Sequence, residues 1–378
     1  MKCLHICNDF LGSKVHSQLY QELDDMCVEQ HIFHPLREHN KENPVEFNFK
    51  VNSSTVYYSN VLKKYHRIFF RNKISFLYRC LNDCINLKTI QVVHATTLFS
   101  DGAIAFKLYK KFKIPYVVTI RSTDLEAFAK YRPDLLFLGL RILQNASNIV
   151  FITQALKTKF FKHYFFQFFR KELVLKSKVI SNGADQYWID NKTLKREVRP
   201  TKIIYVGTFL KRKNVLTLIS AVLKLKSKIS DLELTIVGNN GEEREQILKL
   251  AENNPETIIF IGNVNNKDDL QELYQSNHIF AMPSYAETFG LVYIEALTQG
   301  LPILYSKNDG IDGTFLVKVG EAVNPKSEED ITNGLEMIIK NYSTYTLEKL
   351  DFSEFSWVAI AKKYHQIYHQ IVSAKSNN

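Results

Sequence analysis

Glu287 and Glu295 stand eight positions apart in the stretch SYAETFGLVYIEALTQG, residues 284–300. The preceding NHIFAMP reads as a strand, SYAETFG as a loop, and the following residues as a helix that starts near Gly290 and stops before Gly300-Leu301-Pro302. Glu287 is then on the loop and Glu295 within the first helical turns. The N–H groups of Phe289, Gly290 and Leu291 lack intrahelical acceptors, and such a helix end attracts an anion, phosphate above all. Gly290 lets the backbone come close to it. Carboxylates repel phosphate but accept hydrogen bonds from sugar hydroxyls. A diphosphate with a sugar on one side and a ribose on the other satisfies all these groups. The alternative is a solvated loop charge at Glu287 and a local cap or ion pair at Glu295.

The rest of the chain must supply a frame for such a site. Short β-branched runs end in Gly, Pro, Ser or Asn, with longer amphipathic stretches between them. In the first half KCLHIC, IQVVHAT, PYVVTIR, NIVFIT and SKVISNG read as strands, and EQHIFHP and STVYYS as weaker ones. Helices are expected near 14–25, 60–86, 101–112, 134–145 and 154–168. DNKTLKREVRP, residues 190–200, reads as a linker. After it TKIIYVG, LELTIVG, ETIIFIG, NHIFAMP and LPILYS restart the alternation, and FSWVAIAKKYHQIYHQIV closes as an amphipathic helix. Repeated βα units imply parallel sheets covered on both faces. The expected fold is α/β with two Rossmann-like domains, 1–189 and 190–356, their parallel sheets facing a central cleft, and a helix 357–378 that returns to the first domain. Ligands in open parallel sheets bind beyond the carboxyl ends of the strands. That rule selects Gly12, Arg121, Asp124, residues 182–185, 207–213 and 238–241, and the stretch around Glu287.

The bulk composition narrows the function. The 378 residues are 45% hydrophobic and 23% charged, enough for two cores. MKCLHICNDF does not read as a signal peptide, and no apolar run reaches the roughly 18 residues of a membrane span. Five cysteines (3, 7, 27, 80 and 84) form no C-x-x-C pair and no cluster with His, so reduced, buried thiols in a cytoplasmic protein are expected, and no metal. The net charge of +10 is lopsided: residues 51–200 hold 26 Lys and Arg against 9 Asp and Glu, whereas 201–378 hold 18 against 22. The two halves should meet different partners.

Several segments together resemble a known family. ETFGLVYIE resembles the E-x7-E signature of retaining glycosyltransferases of GT-B architecture, glycosyltransferase family 4 (glycosyl transferases group 1). VISNGAD (Asn182, Gly183, Asp185), YVGTFLKRKN (Gly207, Lys213), LTIVGNNGEE (Gly238) and EALTQGLPILYS resemble further motifs of that family in its order. The likeness is close in the C-terminal half and loose in the N-terminal half. It implies transfer of a sugar from a nucleotide-sugar substrate, a UDP-sugar by default, to an acceptor hydroxyl, without metal. It implies that Glu295 holds the ribose and Glu287 the donor sugar. Phe289, Gly290 and Leu291 would offer backbone N–H groups, and Lys213 would steady the leaving diphosphate. The family's Arg beside the glycine is Thr208 here, and Arg212 or Lys211 is the substitute cation.

Other positions depart from the family or match it loosely. RSTD, 121–124, stands where many members carry H-G-x-D. Arg121 is then a grip for a phosphate or an acceptor carboxylate, and Asp124 orients Arg121 or the acceptor; a structural Arg–Asp pair is the competing reading. Gly12 and Ser13 resemble the family's glycine loop, against a plain Rossmann turn. His94 and His16 read as satisfied core or edge histidines.

VLKKYHRIFFRNKISFLYRCL (61–81) and LKTKFFKHYFFQFFRKELVLK (156–176) interleave cations with aromatics. They suit an anionic membrane surface at the inner face of the membrane, or helices whose long cations face water. No helix-turn-helix, zinc-finger or RNA-binding signature supports nucleic acid. The expected acceptor is a lipid-linked or surface-polysaccharide saccharide, bound by the basic domain. The rivals are a nucleotide-sugar epimerase of similar architecture and a non-catalytic sugar-nucleotide-binding protein, the latter favoured by Thr208 and Arg121.

Overall fold

The computed structural model describes residues 1–12, 14–38, 47–193 and 199–376. Ser13 and residues 194–198 of the expected linker lie outside them. The chain forms two compact units. One comprises residues 1–152, 157–183 and 357–378, and the other 153–156 and 184–356. The division falls after Gly183, ahead of the polar stretch at 190–200.

The first unit contains strands β1 (Lys2–Ile6), β2 (Glu29–His34), β3 (Thr55–Tyr58), β4 (Val92–Ala95), β5 (Tyr116–Ile120), β6 (Asn148–Phe151) and β7 (Ser177–Val179). They form one sheet in the order β3-β2-β1-β4-β5-β6-β7, every pairing parallel. Every residue of β4 and β5 is buried, as expected of strands covered on both faces. The helices up to the division are α1 (Lys14–Asp25), α2 (Phe70–Cys84), α3 (Ser100–Phe112), α4 (Leu136–Asn145), α5 (Gln154–Lys162) and α6 (Arg170–Val174).

The second unit holds α7 (Gln186–Asp190), β8 (Lys202–Val206), α8 (Val215–Lys226), β9 (Glu233–Val237), α9 (Arg244–Asn253), β10 (Ile258–Gly262), α10 (Lys267–Ser276), β11 (Ile279–Ala281), α11 (Leu291–Thr298), β12 (Ile303–Ser306), β13 (Gly320–Val323) and α12 (Glu328–Lys340). Its sheet runs β10-β9-β8-β11-β12-β13, again all parallel. The strand order reverses beside β8, whose neighbours are β9 and β11. The crevice at such a switch point is where open sheets bind ligands.

The last helix, α13 (Trp357–Ser376), belongs to the first unit. Trp357, Ile360, Tyr364, Ile367, Tyr368 and Ile371 share a core with Leu19, Tyr20 and Leu23 of α1. Gly183 lies flat on Trp357: a Cβ there would come within 2.3 Å of the indole. The glycine of SNGAD is thus required where the chain passes under α13.

Three local expectations need correction. The segment 60–86 is not one helix. The His66 ring accepts the Lys63 N–H and closes a separate 3-10 turn over Lys64–Arg67, and Phe69 (φ −90, ψ 80) leaves helical geometry before α2 begins. The expected helix 154–168 ends at Lys162, and a 3-10 turn (Phe166–Phe169) and α6 follow. Among the cysteines, Cys3 and Cys7 are buried free thiols, but Cys27 and Cys84 are exposed. Cys27 occupies a positive-φ turn after α1, and Cys84 is the last residue of α2.

Candidate active site

In the second unit the post-strand loops bring together charges far apart in sequence. After β8 the chain makes one 3-10 turn, Lys211–Lys213, and Asn214 takes a left-handed conformation (φ 59) before α8. Asn214 is buried. Its side-chain amide donates to the carbonyls of Pro283 and Pro325 (3.0 and 2.8 Å), and the Thr217 hydroxyl donates to its Oδ1 (2.7 Å). These bonds fasten the cationic turn to the loop after β11. The Tyr285 N–H adds a bond to the Arg212 carbonyl (2.6 Å).

The fastening places Lys213 Nζ 2.5 Å from Glu287 Oε2, with both side chains only 13% and 11% exposed. Arg212, half exposed, approaches the same oxygen at 3.8 Å. Glu287 is itself positioned by the loop after β12. Its N–H donates to Asp309 Oδ2 (3.1 Å), and its carbonyl accepts from the Gly310 N–H (3.2 Å). Gly310 has φ +50, and a Cβ there would press on the Glu287 side chain at 3.2 Å. Two cations, Lys213 and Arg212, and two carboxylates, Glu287 and Asp309, thus meet at this point.

Directly after Glu287 comes the helix start foreseen from the sequence. Gly290 is the N-cap of α11 with φ +79, and no side chain caps the helix. A Cβ on Gly290 would come within 2.6 Å of the Tyr293 ring. Tyr293 is fixed by its hydroxyl, which donates to the Met282 carbonyl (2.5 Å). The uncapped helix start, with Phe289, Gly290 and Leu291 leading into it, is an electropositive end beside Lys213 and Glu287.

Glu295 is one helical stretch further on and partly buried. The Tyr274 hydroxyl donates to its Oε2 (3.2 Å). Burial pushes its carboxyl up to about 7, against the lowering effect of the Tyr274 bond; Asp185 adds to the rise and Lys267 opposes it. The two glutamates therefore differ in kind: Glu287 pairs with a cation, and Glu295 sits against a phenol.

The glycines of the β8 and β9 loops serve a close approach of backbone to backbone. Gly207 N–H donates to Val237 (2.9 Å), and a Cβ on Gly238 (φ +146) would fall 2.0 Å from the Gly207 carbonyl. Thr208, where the resemblance implies Arg, is exposed and accepts the Tyr205 hydroxyl through its carbonyl (2.7 Å). Its side chain carries no charge into the site, and Arg212 is the second cation near Glu287.

The first unit holds the remaining candidates. Arg121 and Asp124 do not form the ion pair their spacing suggested. Asp124 is buried, and its oxygens accept the backbone N–H groups of Arg121 (2.9 Å) and Leu98 (3.1 and 3.2 Å). Burial pushes its carboxyl up to about 7 in spite of those bonds. The Arg121 guanidinium turns instead to the Thr96 carbonyl (3.1 Å) and to His16 Nε2 (3.1 Å). The reading of Asp124 as a group that meets the acceptor conflicts with this burial; its carboxylate holds the loop that carries Arg121. His94 is buried between the Thr119 and Tyr368 hydroxyls (2.9 and 2.7 Å), and burial lowers it to about 3. Gly12 is exposed and backs onto Asp9, whose Oδ1 would be 2.3 Å from an added Cβ.

Asn214, Tyr285, Tyr293 and Asp309 were not singled out from the sequence. Asn214 carried a legible signal, a polar residue between KRK and an apolar helix; the others become visible only when the loops are folded together.

Residues 186–350 match the family described as "Glycosyl transferases group 1". An uncharacterized glycosyltransferase of Methanocaldococcus jannaschii is 27% identical over 212 residues, covering 51% of this chain and 54% of the relative. Among solved structures, a glycosyltransferase from Rickettsia africae superposes with TM-score 0.64 at 15% identity, covering 98% of each chain. Anabaena HepE, solved in complex with UDP, superposes with TM-score 0.63 at 16% identity over the full length of both. The chain thus has the GT-B fold, and the match to the group 1 glycosyl transferases falls within its second unit. The matched segment spans about half the length of the M. jannaschii relative.

Proposed function

We propose that the chain is a retaining glycosyltransferase that moves a sugar from a UDP-sugar to a hydroxyl of a lipid-linked or surface-polysaccharide saccharide. One observation carries the reading: Lys213 and Glu287, 74 residues apart, meet at 2.5 Å beside the uncapped start of α11. A second cation, Arg212, stands 3.8 Å from the same carboxylate oxygen. UDP is the base found in the HepE complex, and it is extended here to this chain.

In this reading the diphosphate lies at the N-terminus of α11 and takes hydrogen bonds from the backbone at Phe289, Gly290 and Leu291. Lys213 and Arg212 stabilise the negative charge that grows on it, an interaction stronger in the transition state than in the ground state. Glu287 accepts from hydroxyls of the donor sugar, and Glu295 from the ribose. The anomeric C–O bond to phosphate breaks, and a bond to the acceptor oxygen forms on the same face. The acceptor proton passes to the departing phosphate oxygen, so no separate base and no metal is needed. In the first unit Arg121 offers a guanidinium to an anionic group of the acceptor, and Asp124 holds its loop.

The test is UDP release with and without acceptor, alongside thermal shift with UDP and other nucleotides. Lys213→Ala and Glu287→Ala should each lower transfer by about 10²–10³-fold with melting temperatures close to that of the parent. Near-normal rates in both variants would falsify the assignment. Turnover without acceptor would favour an epimerase, and binding without turnover a sensor.

A further inference from the structure

Successive stretches of residues 62–75 line two features of opposite character in the first unit. The first is a cavity of about 380 Å³ whose wall carries Arg37, Lys63, Lys64, Arg67 and Lys73 and, among the described residues, one acid, Glu38. Among the described residues, no ion pair within 4 Å joins a carboxylate to any of these five cations. Lys73 points its ammonium at the Ser100 hydroxyl (2.9 Å), which cannot neutralise it. Burial pushes Lys73 down to about 8, although Asp101 pulls it up. The second feature is a groove of about 820 Å³ that begins where the first ends. Ile68, Phe69 and Phe137 stand on it 71%, 56% and 71% exposed. Arg71 and Arg141 rim it, while Arg132 is spent on Asp134 (2.8 Å).

Large apolar side chains clustered this openly mark a surface that another apolar body covers. Cations that no described carboxylate meets within 4 Å draw an anion to the cavity. Free phosphate satisfies only the cavity, and an uncharged acyl chain only the groove. We infer that residues 62–75, with Arg37 and Phe137, form a binding site for a lipid bearing a phosphate headgroup, the phosphate among Arg37, Lys63, Arg67 and Lys73 and the hydrocarbon against Ile68, Phe69 and Phe137. The 26-to-9 excess of cations over residues 51–200 adds a long-range attraction for an anionic bilayer. The inference deepens the proposed function, since it rests on the reading of the acceptor as lipid-linked, and it names the bilayer phospholipid as what the first unit grips.

Vesicle flotation of the full chain tests it. Vesicles of phosphatidylcholine containing about 30 mol% phosphatidylglycerol should bind the chain at least about tenfold better than phosphatidylcholine alone. The double variant Arg37→Gln/Arg67→Gln should lose roughly tenfold in that binding. Phe69→Ser/Phe137→Ser should lose a similar factor, and should leave only binding that salt removes. Lys249→Gln, an exposed cation on α9, should change nothing. Inorganic pyrophosphate should fail to release the parent chain from vesicles. Pyrophosphate binding without vesicle binding, or vesicle binding equal in all variants, overturns the site. All the substituted side chains but Arg37 are exposed, and melting temperatures check that each variant folds. Thermal shift with UDP in the same variants separates the two readings: a retained shift without vesicle binding sinks the lipid site alone, and a lost shift in the parent sinks the transferase reading alone.

Discussion

Lys213 and Glu287 are 74 positions apart and their side chains pair, whereas the side chains of Arg121 and Asp124, three apart, do not. Both pairs lie on loops that follow a parallel strand. In the second unit, Asn214 and Tyr285 tie two loops together from outside, so the side chains are left to face each other. In the first unit the loop has to be held by its own carboxylate. Asp124 is consumed by two main-chain N–H groups, and Arg121 must look elsewhere. A charge beyond a strand end is therefore available for chemistry only when something else satisfies the backbone around it.

The largest effect should come from removing that internal brace. Asp124→Ala leaves the N–H groups of Leu98 and Arg121 without their acceptor in a buried setting, and should cost about 2–4 kcal/mol in urea unfolding. Asp124→Asn keeps a carbonyl acceptor and should cost less than about 1.5 kcal/mol. Arg121→Ala removes two bonds from a partly exposed side chain and should cost about 1 kcal/mol. An Arg121→Ala loss as large as that of Asp124→Ala would mean that the guanidinium, too, is structural.

Much of this was readable in advance, and what was not has a common cause. The parallel strands were legible because burial on both faces demands unbroken apolar runs such as VVHA and YVVTI. The start of α11 was legible because Gly290 and the Gly300–Pro302 stop are local signals. The break of the 60–86 stretch depends on one His66 ring closing a turn, which periodicity does not record. The clasp formed by Asn214, Tyr285 and Asp309 joins residues from three loops. The partner of Glu295, Tyr274, comes from a neighbouring helix, α10. Local pattern fixes elements, but which side chain satisfies which backbone group is settled by loops that meet only in the fold.

Glu295 sharpens the contrast between a carboxylate held by a cation and one held by a phenol. Its folded value is raised to about 7 from an ordinary 4.5, by burial first. Between those values the folded chain keeps a proton that the unfolded chain has released. Stability from this group is then greatest below about pH 4.5 and declines as pH rises toward 7. Glu295→Gln, which mimics the protonated form, should flatten this decline. It should gain on the parent by on the order of 1–2 kcal/mol between pH 5 and 8, the full shift being discounted for partial exposure. Denaturant melts across that range would show it; parallel profiles for parent and variant would mean that Glu295 is charged throughout.

The smallest effect is the most direct measure of the contact itself. A double-mutant cycle on stability with Lys213→Ala and Glu287→Ala should give a coupling of about 1 kcal/mol, because the pair is close and mostly covered. The same cycle with Arg212→Ala should give under about 0.3 kcal/mol, since 3.8 Å across a half-exposed side chain is weak. UDP should lower the Lys213–Glu287 coupling. A diphosphate at the start of α11 competes with Glu287 for the Lys213 ammonium and lowers that coupling. It also draws Arg212 out of solvent and raises the dependence of UDP affinity on Arg212. Couplings indifferent to UDP would place the nucleotide elsewhere, and Lys213–Glu287 would then be an ordinary ion pair bracing the loop after β11, as Asp124 braces the loop after β5.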